Sequence, residues 1–129
     1  MYTYKKSTFL GYADAVAKVR EELKKEGFGV LTEIDVKQTL KTKLNVNFED
    51  YIILGACNPP LAYQALSAER DIGVMLPCNV IVYVHGGKTF VSAILPTVQL
   101  GKVGNPKLLP IAEQVENKLK NVVDATARK

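Results

Sequence analysis

A chain of 129 residues, of which 47% are hydrophobic and 23% are charged, has the length and composition of one globular domain. This composition excludes a disordered or fibrous protein, and the length leaves no room for two ordinary domains. The net charge of +4 comes from scattered basic residues, and we expect most of the six tyrosines and four phenylalanines in the core, so nucleic-acid binding is not favoured.

Membrane insertion and secretion are not indicated either. No apolar run reaches the roughly 18 residues that cross a bilayer, and the first residues, Met1 to Lys6, lack the apolar core of a signal peptide. We therefore expect a cytoplasmic protein. Cysteines in that compartment are normally reduced, so the two cysteines are expected to be free thiols.

The first third of the chain predicts a strand, a helix and a second strand. Alternating residues over Tyr2–Ser7 suit a short strand, and apolar residues at three- and four-residue steps over Gly11–Glu26 predict a helix. Gly27 supplies the left-handed position that closes such a helix. The β-rich run 28–34 then predicts a strand with three apolar residues on one face: Phe28, Val30 and Ile34.

The middle of the chain predicts a short helix, a buried strand and another helix. Asp35 can cap a helix that ends near Leu44. The run Tyr51–Cys57 is apolar on both faces, which predicts a strand inside a sheet. We expect a helix over Pro60–Arg70, since proline suits a first helical turn, and an extended segment over Asp71–Pro77.

A hairpin is the strongest local signal. Two β-rich runs, Asn79–His85 and Thr89–Leu95, are separated by turn residues Gly86 and Gly87. A two-residue turn pairs His85 with Lys88, and it places Tyr83 opposite Phe90 and Val82 opposite Val91.

The last element is a helix that ends near Asp124, after Pro96 ends the strand and a loop with turn residues Gly101, Gly104 and Pro106 follows. Pro110 must lie near its first turn. The polar tail Ala125–Lys129 is expected to fray. The predicted buried face of the helix consists of Leu108, Ile111, Ala112, Val115, Leu119, Val122 and Val123.

The order β-α-β-(short α)-β-α-β-β-α predicts an α+β fold in a single domain over residues 1–129. Strands that cluster after one helix favour an antiparallel or mixed sheet of about five strands, with helices packed on one face. This order is not that of a Rossmann or P-loop fold.

Most familiar site motifs are absent from the sequence. It contains neither Gly-x-Gly-x-x-Gly nor the Walker lysine pattern, which argues against a phosphate cradle. The single histidine, His85, is expected at the surface beside the hairpin turn. No Cys-x-x-Cys and no histidine pair is present, so we expect no structural metal site, and the sequence does not identify a cofactor.

The two cysteines form the one constellation of interest. Cys57 closes the third strand and Cys78 opens the fourth, so antiparallel pairing would bring them to one end of the sheet, with Cα atoms closer than about 10 Å. Cys57 also precedes a helix start, whose positive end can lower a thiol pKa. The alternative is that both are small buried hydrophobic residues.

Three blocks resemble the bacterial and archaeal domain-of-unknown-function family numbered 302. They are Gly27–Asp35, Ile53–Pro59 with its Cys-Asn-Pro, and Leu76–Val80 with its Leu-Pro-Cys and the following hairpin. The resemblance covers nearly the whole chain. It implies an α/β fold similar to the TATA-box-binding-protein fold, commonly found as a dimer, with no established activity. Likeness to a DNA-binding fold does not transfer that function.

These observations lead to three hypotheses. The first is a homodimeric binding or sensing module that holds a small ligand or metal ion near two Cys-Asn pairs, Cys57-Asn58 and Cys78-Asn79. The second is a thiol redox enzyme in which Cys57 is the reactive thiol and Cys78 its resolving partner. The third is a structural or interaction domain with inert cysteines. We expect a homodimer at micromolar concentration, because the edge strands of the sheet need a partner.

Overall fold

Strands and helices alternate along the first half of the chain, and a hairpin and a long helix complete the fold. The computed structural model describes residues 1–128. The elements are β1 Thr3–Thr8, α1 Tyr12–Lys25, β2 Gly29–Asp35, α2 Val36–Leu44, β3 Tyr51–Cys57, α3 Pro59–Ala68, β4 Cys78–His85, β5 Lys88–Ile94, α4 Pro96–Gly101 and α5 Leu108–Ala127.

The five strands form one sheet in the order β1-β5-β4-β3-β2, and every neighbouring pair is antiparallel. This confirms the predicted α+β fold and decides between an antiparallel and a mixed sheet. The first two strands of the chain lie at the two edges of the sheet, and β3, β4 and β5 lie in the middle.

The core lies between one face of the sheet and the helices α1 and α5. Alternate residues of the middle strands, such as Leu54, Val80 and Val91, are fully buried, as are Leu23 of α1 and Leu119 of α5. Burying one such side chain contributes about 1.5–3 kcal/mol to folding. We call this the covered face, and the other face of the sheet the open face.

Several local predictions are confirmed. Gly27 has a φ of 84°, which is the left-handed conformation expected after α1. The Asp35 carboxylate accepts a hydrogen bond of 2.9 Å from the backbone N–H of Gln38, so it caps α2. In the hairpin His85 pairs with Lys88, and Tyr83 lies opposite Phe90.

The expectation for the faces of the second strand is wrong. Phe28 is 5% exposed and Val30 packs against the core, whereas Ile34 is 48% exposed. The register shifts between Val30 and Thr32, which is a β-bulge. A bulge adds one residue and therefore moves all later side chains to the other face.

The predicted extended segment Asp71–Pro77 is also wrong over most of its length. Residues Arg70–Met75 form a short 3₁₀ helix, which lets Ile72 reach the core with 1% exposure. Leu76 is extended before Pro77, as expected for a residue that precedes proline.

The end of the chain holds two further differences. The six-residue helix α4 was not expected, although Pro96 occupies its first turn, a position that proline favours. Helix α5 extends to Ala127, three residues past the predicted end, because the Thr126 side chain is fully buried. The expectation of fraying is therefore wrong for residues 125–127, and Lys129 lies outside the described residues. Within residues 1–128, every helix is too short or too polar to traverse a lipid bilayer.

Candidate functional site

The two cysteines lie at the same end of the sheet, as predicted. Strands β3 and β4 are antiparallel neighbours, and Ala56 pairs with Cys78. Cys57 is therefore one residue past the position opposite Cys78. With the usual spacings between and along strands, this places the two Cα atoms about 6 Å apart.

The one-residue offset also affects the directions of the two side chains. Successive side chains of a strand point to opposite faces, so Cys78 shares the covered face with Ala56, and Cys57 starts from the other face. Both cysteines are free thiols. A direct disulfide needs Cβ atoms about 3.8 Å apart, which a directly opposed pair provides more readily than this diagonal pair.

Both cysteines line a cavity of about 280 Å³ between the end of the sheet and helices α3 and α5. We call it the thiol cavity. Its described lining contains no charged side chain, and apart from Asn58 and the two thiols it is apolar. The lining residues are Phe28, Leu31, Ala56, Cys57, Asn58, Ala62, Leu66, Leu76, Pro77, Cys78 and Val115.

A glycine allows the wall of the cavity to approach the sheet. A Cβ atom on Gly55 would lie 2.7 Å from Cγ of Pro77 and would also overlap the side chain of Thr32. Real Cβ contacts are essentially never that short. Gly55 therefore lets Pro77 close over the end of β3, where Pro77 forms part of the cavity wall.

Asn58 makes two hydrogen bonds to the backbone at the edge of the cavity. Its side-chain oxygen accepts a hydrogen bond of 3.4 Å from the backbone N–H of Leu61 and caps α3, and its amide nitrogen donates to the backbone oxygen of Glu26 at 3.2 Å. The residue is 9% exposed. Both ends of the amide are thus engaged within the protein.

Asn79 lies apart from the other three predicted site residues. It pairs with Gly55, its side chain is exposed on the open face, and it does not line the thiol cavity. Cys57, Asn58 and Cys78 lie together at the cavity, so the structure brings together three of the four residues. Their role in binding remains a prediction.

The environment of Cys78 favours a protonated thiol. Burial, and secondarily the charge of a Cys57 thiolate, raise the pKa of Cys78 to about 11. The thiolate form is therefore scarce at neutral pH. Cys57 lies two residues before Pro59, at the positive end of the α3 macrodipole.

The open face of the sheet carries a second feature, which the sequence analysis missed. The rings of Tyr51, Tyr83 and Phe90 form a ladder across β3, β4 and β5, with ring centroids 5.2 and 5.3 Å apart. The expectation that most aromatic residues lie in the core is wrong. Within residues 1–128, Phe28 is the one fully buried aromatic residue, and Tyr4 and Tyr12 pack against the core while partly exposed. The hairpin already places Tyr83 opposite Phe90, and the register of β3 against β4, which places Tyr51 opposite Tyr83, would have completed the ladder.

The ladder rings turn their faces toward each other. The planes of Tyr51 and Tyr83 are inclined by 14°, and those of Tyr83 and Phe90 by 27°. Lys5 lies over Phe90 at 5.3 Å and donates a hydrogen bond of 3.3 Å to the Tyr83 hydroxyl. Ring edges and hydroxyl groups, and not ring faces, therefore point away from the sheet on the open face. This arrangement is unsuited to stacking of nucleic-acid bases.

His85 is exposed, as predicted, and does not belong to the thiol cavity. Its Nδ1 lies 2.7 Å from a carboxylate oxygen of Glu49 at the far end of the sheet. Within residues 1–128 no group of three or more His, Cys, Asp or Glu side chains could hold a metal ion.

The whole chain is similar to proteins of one family. The family model described as "Domain of unknown function DUF302" matches residues 3–126. A crystal structure of an uncharacterized conserved protein DUF302 from Bacillus stearothermophilus is 32% identical, covers 99% of both chains and superposes with a TM-score of 0.93. No curated protein matches the chain. The sequence match and the shared fold together show that this chain belongs to the DUF302 family.

Proposed function

We propose that this protein is a homodimeric binding module that holds a small ligand in the thiol cavity. The observation that carries the proposal is that two free thiols line one cavity whose other walls are almost entirely apolar. Concave apolar sites with a few convergent polar groups are the usual form of ligand pockets. Reduced thiols imply a reducing compartment, which favours the cytoplasm.

The walls restrict the class of ligand. No charged side chain of the described residues lines the cavity, and the amide of Asn58 is already engaged at both ends. A nucleotide or another multiply charged molecule would lose its hydration without gaining a partner. The ligand is therefore small, and it contacts the sulfur atoms of Cys57 and Cys78.

A ligand-detected NMR screen of small uncharged and thiol-binding compounds tests this site. Ala62 lines the cavity from α3, so Ala62→Phe should fill the cavity and abolish binding. Ala17→Phe makes the same change at an exposed position of α1 and should leave binding intact. Binding that survives in Ala62→Phe, or no bound compound at all, would refute the site.

The open face is where the second copy is proposed to pack. Its middle consists of half-buried apolar side chains, among them Ile53, Ile81 and the aromatic ladder. A contiguous apolar surface of this kind is typical of an interaction site. Ring edges suit face-to-face packing of two sheets, in which side chains interdigitate.

The charges on this face complement those of a second copy. At the hairpin end of the sheet, His85 of β4 lies between two charged residues. It pairs with Lys88 of β5, and its side chain contacts Glu49, which precedes β3. Suppose that a two-fold axis runs parallel to β4, between the two packed sheets. It places β3 of one copy over β5 of the other, so Lys88 of one copy lies over Glu49 of the other. The same axis sets Phe90 over Tyr51, an apolar contact.

Light scattering tests the dimer. We expect twice the chain mass of 14.2 kDa at micromolar concentration. Ile81→Lys places a charge in the middle of the interface and should give the single-chain mass, whereas Ala17→Lys, on exposed α1, should remain dimeric. A wild-type mass of one chain at every concentration would refute the dimer.

Thiol redox chemistry with Cys57 and Cys78 is the second candidate, and it has less support. The raised pKa of Cys78 disfavours its thiolate, and the diagonal placement of the two residues disfavours a direct disulfide. Mass spectrometry after treatment with hydrogen peroxide separates the candidates. Quantitative loss of two hydrogen atoms per chain would favour the enzyme.

A further inference from the structure

We propose that the second copy of the dimer covers the rim of the thiol cavity, so that ligand binding and dimerisation strengthen each other. This inference rests on the proposed function, because it concerns the partner and the regulation of the same cavity. The rim consists of three lining residues, Leu31, Cys57 and Pro77.

The rim lies where the cavity meets the open face. A Cβ atom on Gly55, which would point to the open face, lies 2.7 Å from Cγ of Pro77, so Pro77 covers Gly55 on that face. Cys57 also starts from the open face, since it follows Gly55 by two residues. Leu31 is the extra residue of the β2 bulge, at the edge of the sheet. A copy that packs on this end of the open face therefore meets the rim.

The rim remains in contact with solvent in the single chain. Leu31 is 68% exposed, and Cys57 and Pro77 are half-buried. An apolar ligand behind such a rim stays partly in water, whereas ligand pockets usually bury most of the surface of the ligand. A cover over the rim removes more apolar surface of the ligand and of the rim from water, which favours binding.

The two-fold axis of the proposed dimer supplies a residue for this cover. Asn79 pairs with Gly55, and the next residue of β4, Val80, pairs with Ala93. Ile94, which follows Ala93, therefore lies in the same row as Gly55. Rotation about an axis parallel to β4 leaves positions along the strands unchanged and sets β5 over β3. Ile94 of the second copy thus lies over Gly55, beside the rim.

The chemistry of this row suits a second copy. No side chain of the row is charged, so two copies meet here without repulsion, while Lys88 lies over Glu49 at the hairpin end. Ile94 is half-buried, and it offers the apolar rim a surface of the same kind. The row consists of Thr3, Ile94, Asn79, Gly55 and Thr32.

Thermodynamic linkage determines the size of the reciprocal effect. If the dimer binds a ligand about 10-fold more tightly at each cavity than the single chain does, saturating ligand strengthens the dimer by the same factor at each cavity. With two cavities per dimer, the dissociation constant of the dimer then falls by about 100-fold.

Titration with indole, an uncharged apolar probe, followed by NMR tests the coupling. Ile81 lies in the middle of the open face and does not line the cavity, and Ile81→Lys should give the single chain. We expect this variant to bind indole at least about 10-fold more weakly than the wild-type dimer. Ala17→Lys, which remains dimeric, should bind indole as the wild type does. Equal affinity of Ile81→Lys and the wild type would overturn the inference.

Sedimentation equilibrium of the wild type needs no variant. Saturating indole should lower the dissociation constant of the dimer by about 100-fold. A dissociation constant that indole leaves unchanged contradicts the coupling.

Two matched substitutions test the cover itself. Ile94→Ala removes the side chain that lies beside the rim and should weaken indole binding several-fold while the protein stays dimeric. Ile34→Ala makes the same change on the same face but away from the cavity lining, and it should leave indole binding intact. Equal effects of the two substitutions on indole binding would show that Ile94 is not the cover.

The outcomes separate this inference from the proposed function. If the wild type is a dimer, binds indole and loses it in Ala62→Phe, but Ile81→Lys binds indole equally well, the coupling is refuted and the binding module stands. If the wild type is a single chain at every concentration, the proposed dimer and the coupling are both refuted. If indole does not bind to the wild type, the coupling is refuted, and the screen of other compounds decides the ligand site.

Discussion

The two faces of the sheet are built from the same strands, yet they differ in how deeply their side chains are buried. On the covered face, Leu54, Val80 and Val82 are fully buried beneath the helices. On the open face, the apolar Ile53 and Ile81 and the aromatic Tyr83 stay half-exposed in the single chain. The lesson is that an apolar residue in a central strand indicates burial, but does not tell whether the chain itself or a partner provides it.

The largest expected difference between the faces concerns adjacent residues of β3. Leu54→Ala should lower the free energy of unfolding by about 2–5 kcal/mol, because it leaves a cavity in the core. Ile53→Ala should cost less than about 1.5 kcal/mol under conditions where the protein is a monomer. Urea denaturation measures both, and equal losses would contradict the distinction between the faces.

Gly55 differs from the other residues of the open face, because there is no space for a side chain at its position. Gly55→Ala should cost about 1–3 kcal/mol, since the new methyl group overlaps Thr32 and Pro77. The displaced Pro77 should also alter the thiol cavity and weaken ligand binding. Unchanged thermal stability together with unchanged binding would refute the close packing described here.

The buried thiol of Cys78 makes the stability of the protein depend on pH. The pKa of Cys78 is raised to about 11 from an ordinary value of 9.0, so the folded state retains a proton that the unfolded state loses between these values. Stability contributed by Cys78 is fully present below pH 9.0 and falls by up to about 1.4 kcal/mol per pH unit as the pH rises toward 11.

Urea denaturation of the wild type and of Cys78→Ala, at several pH values from 8 to 11, measures this effect. Tyr12, whose pKa is raised to about 12, and the other alkaline groups that do not interact with Cys78 contribute equally to both proteins, so the difference isolates Cys78 together with its interaction with Cys57. A difference in stability that does not change with pH would contradict the buried thiol.

The smallest effect separates the two asparagines. Asn58→Ala should cost about 0.5–2 kcal/mol, because α3 loses its cap and Glu26 loses a hydrogen bond. Asn79→Ala should change the stability by less than about 0.5 kcal/mol, since its side chain is exposed. Thermal unfolding measures both variants, and a reversed order would show that the site residues are assigned to the wrong roles.

The sequence sufficed for features that depend on local chemistry. The hairpin register follows from Gly86 and Gly87, and the cap of α2 follows from Asp35. The nearness of Cys57 and Cys78 required one further assumption, the antiparallel pairing of their strands, which the sheet confirms. In these cases the residues that form the pattern also make the contacts that determine the local structure.

Features that depend on tertiary packing could not be predicted in the same way. The bulge in β2 turns Ile34 away from the core, although its spacing from Val30 is even. The hydrogen bond from the Asn58 amide to the backbone oxygen of Glu26 could not be predicted either, because Glu26 is distant in sequence. The exclusion of Asn79 from the thiol cavity likewise follows from strand alternation at a register that the sequence alone did not fix.

Native mass spectrometry of protein purified without chelators tests the proposed dimer and the ligand in each thiol cavity in one experiment. We expect a complex of two 14.2 kDa chains that carries one additional bound mass per chain. The additional mass should disappear in Ala62→Phe and persist in Ala17→Phe. A single chain without any additional bound mass would contradict both proposals.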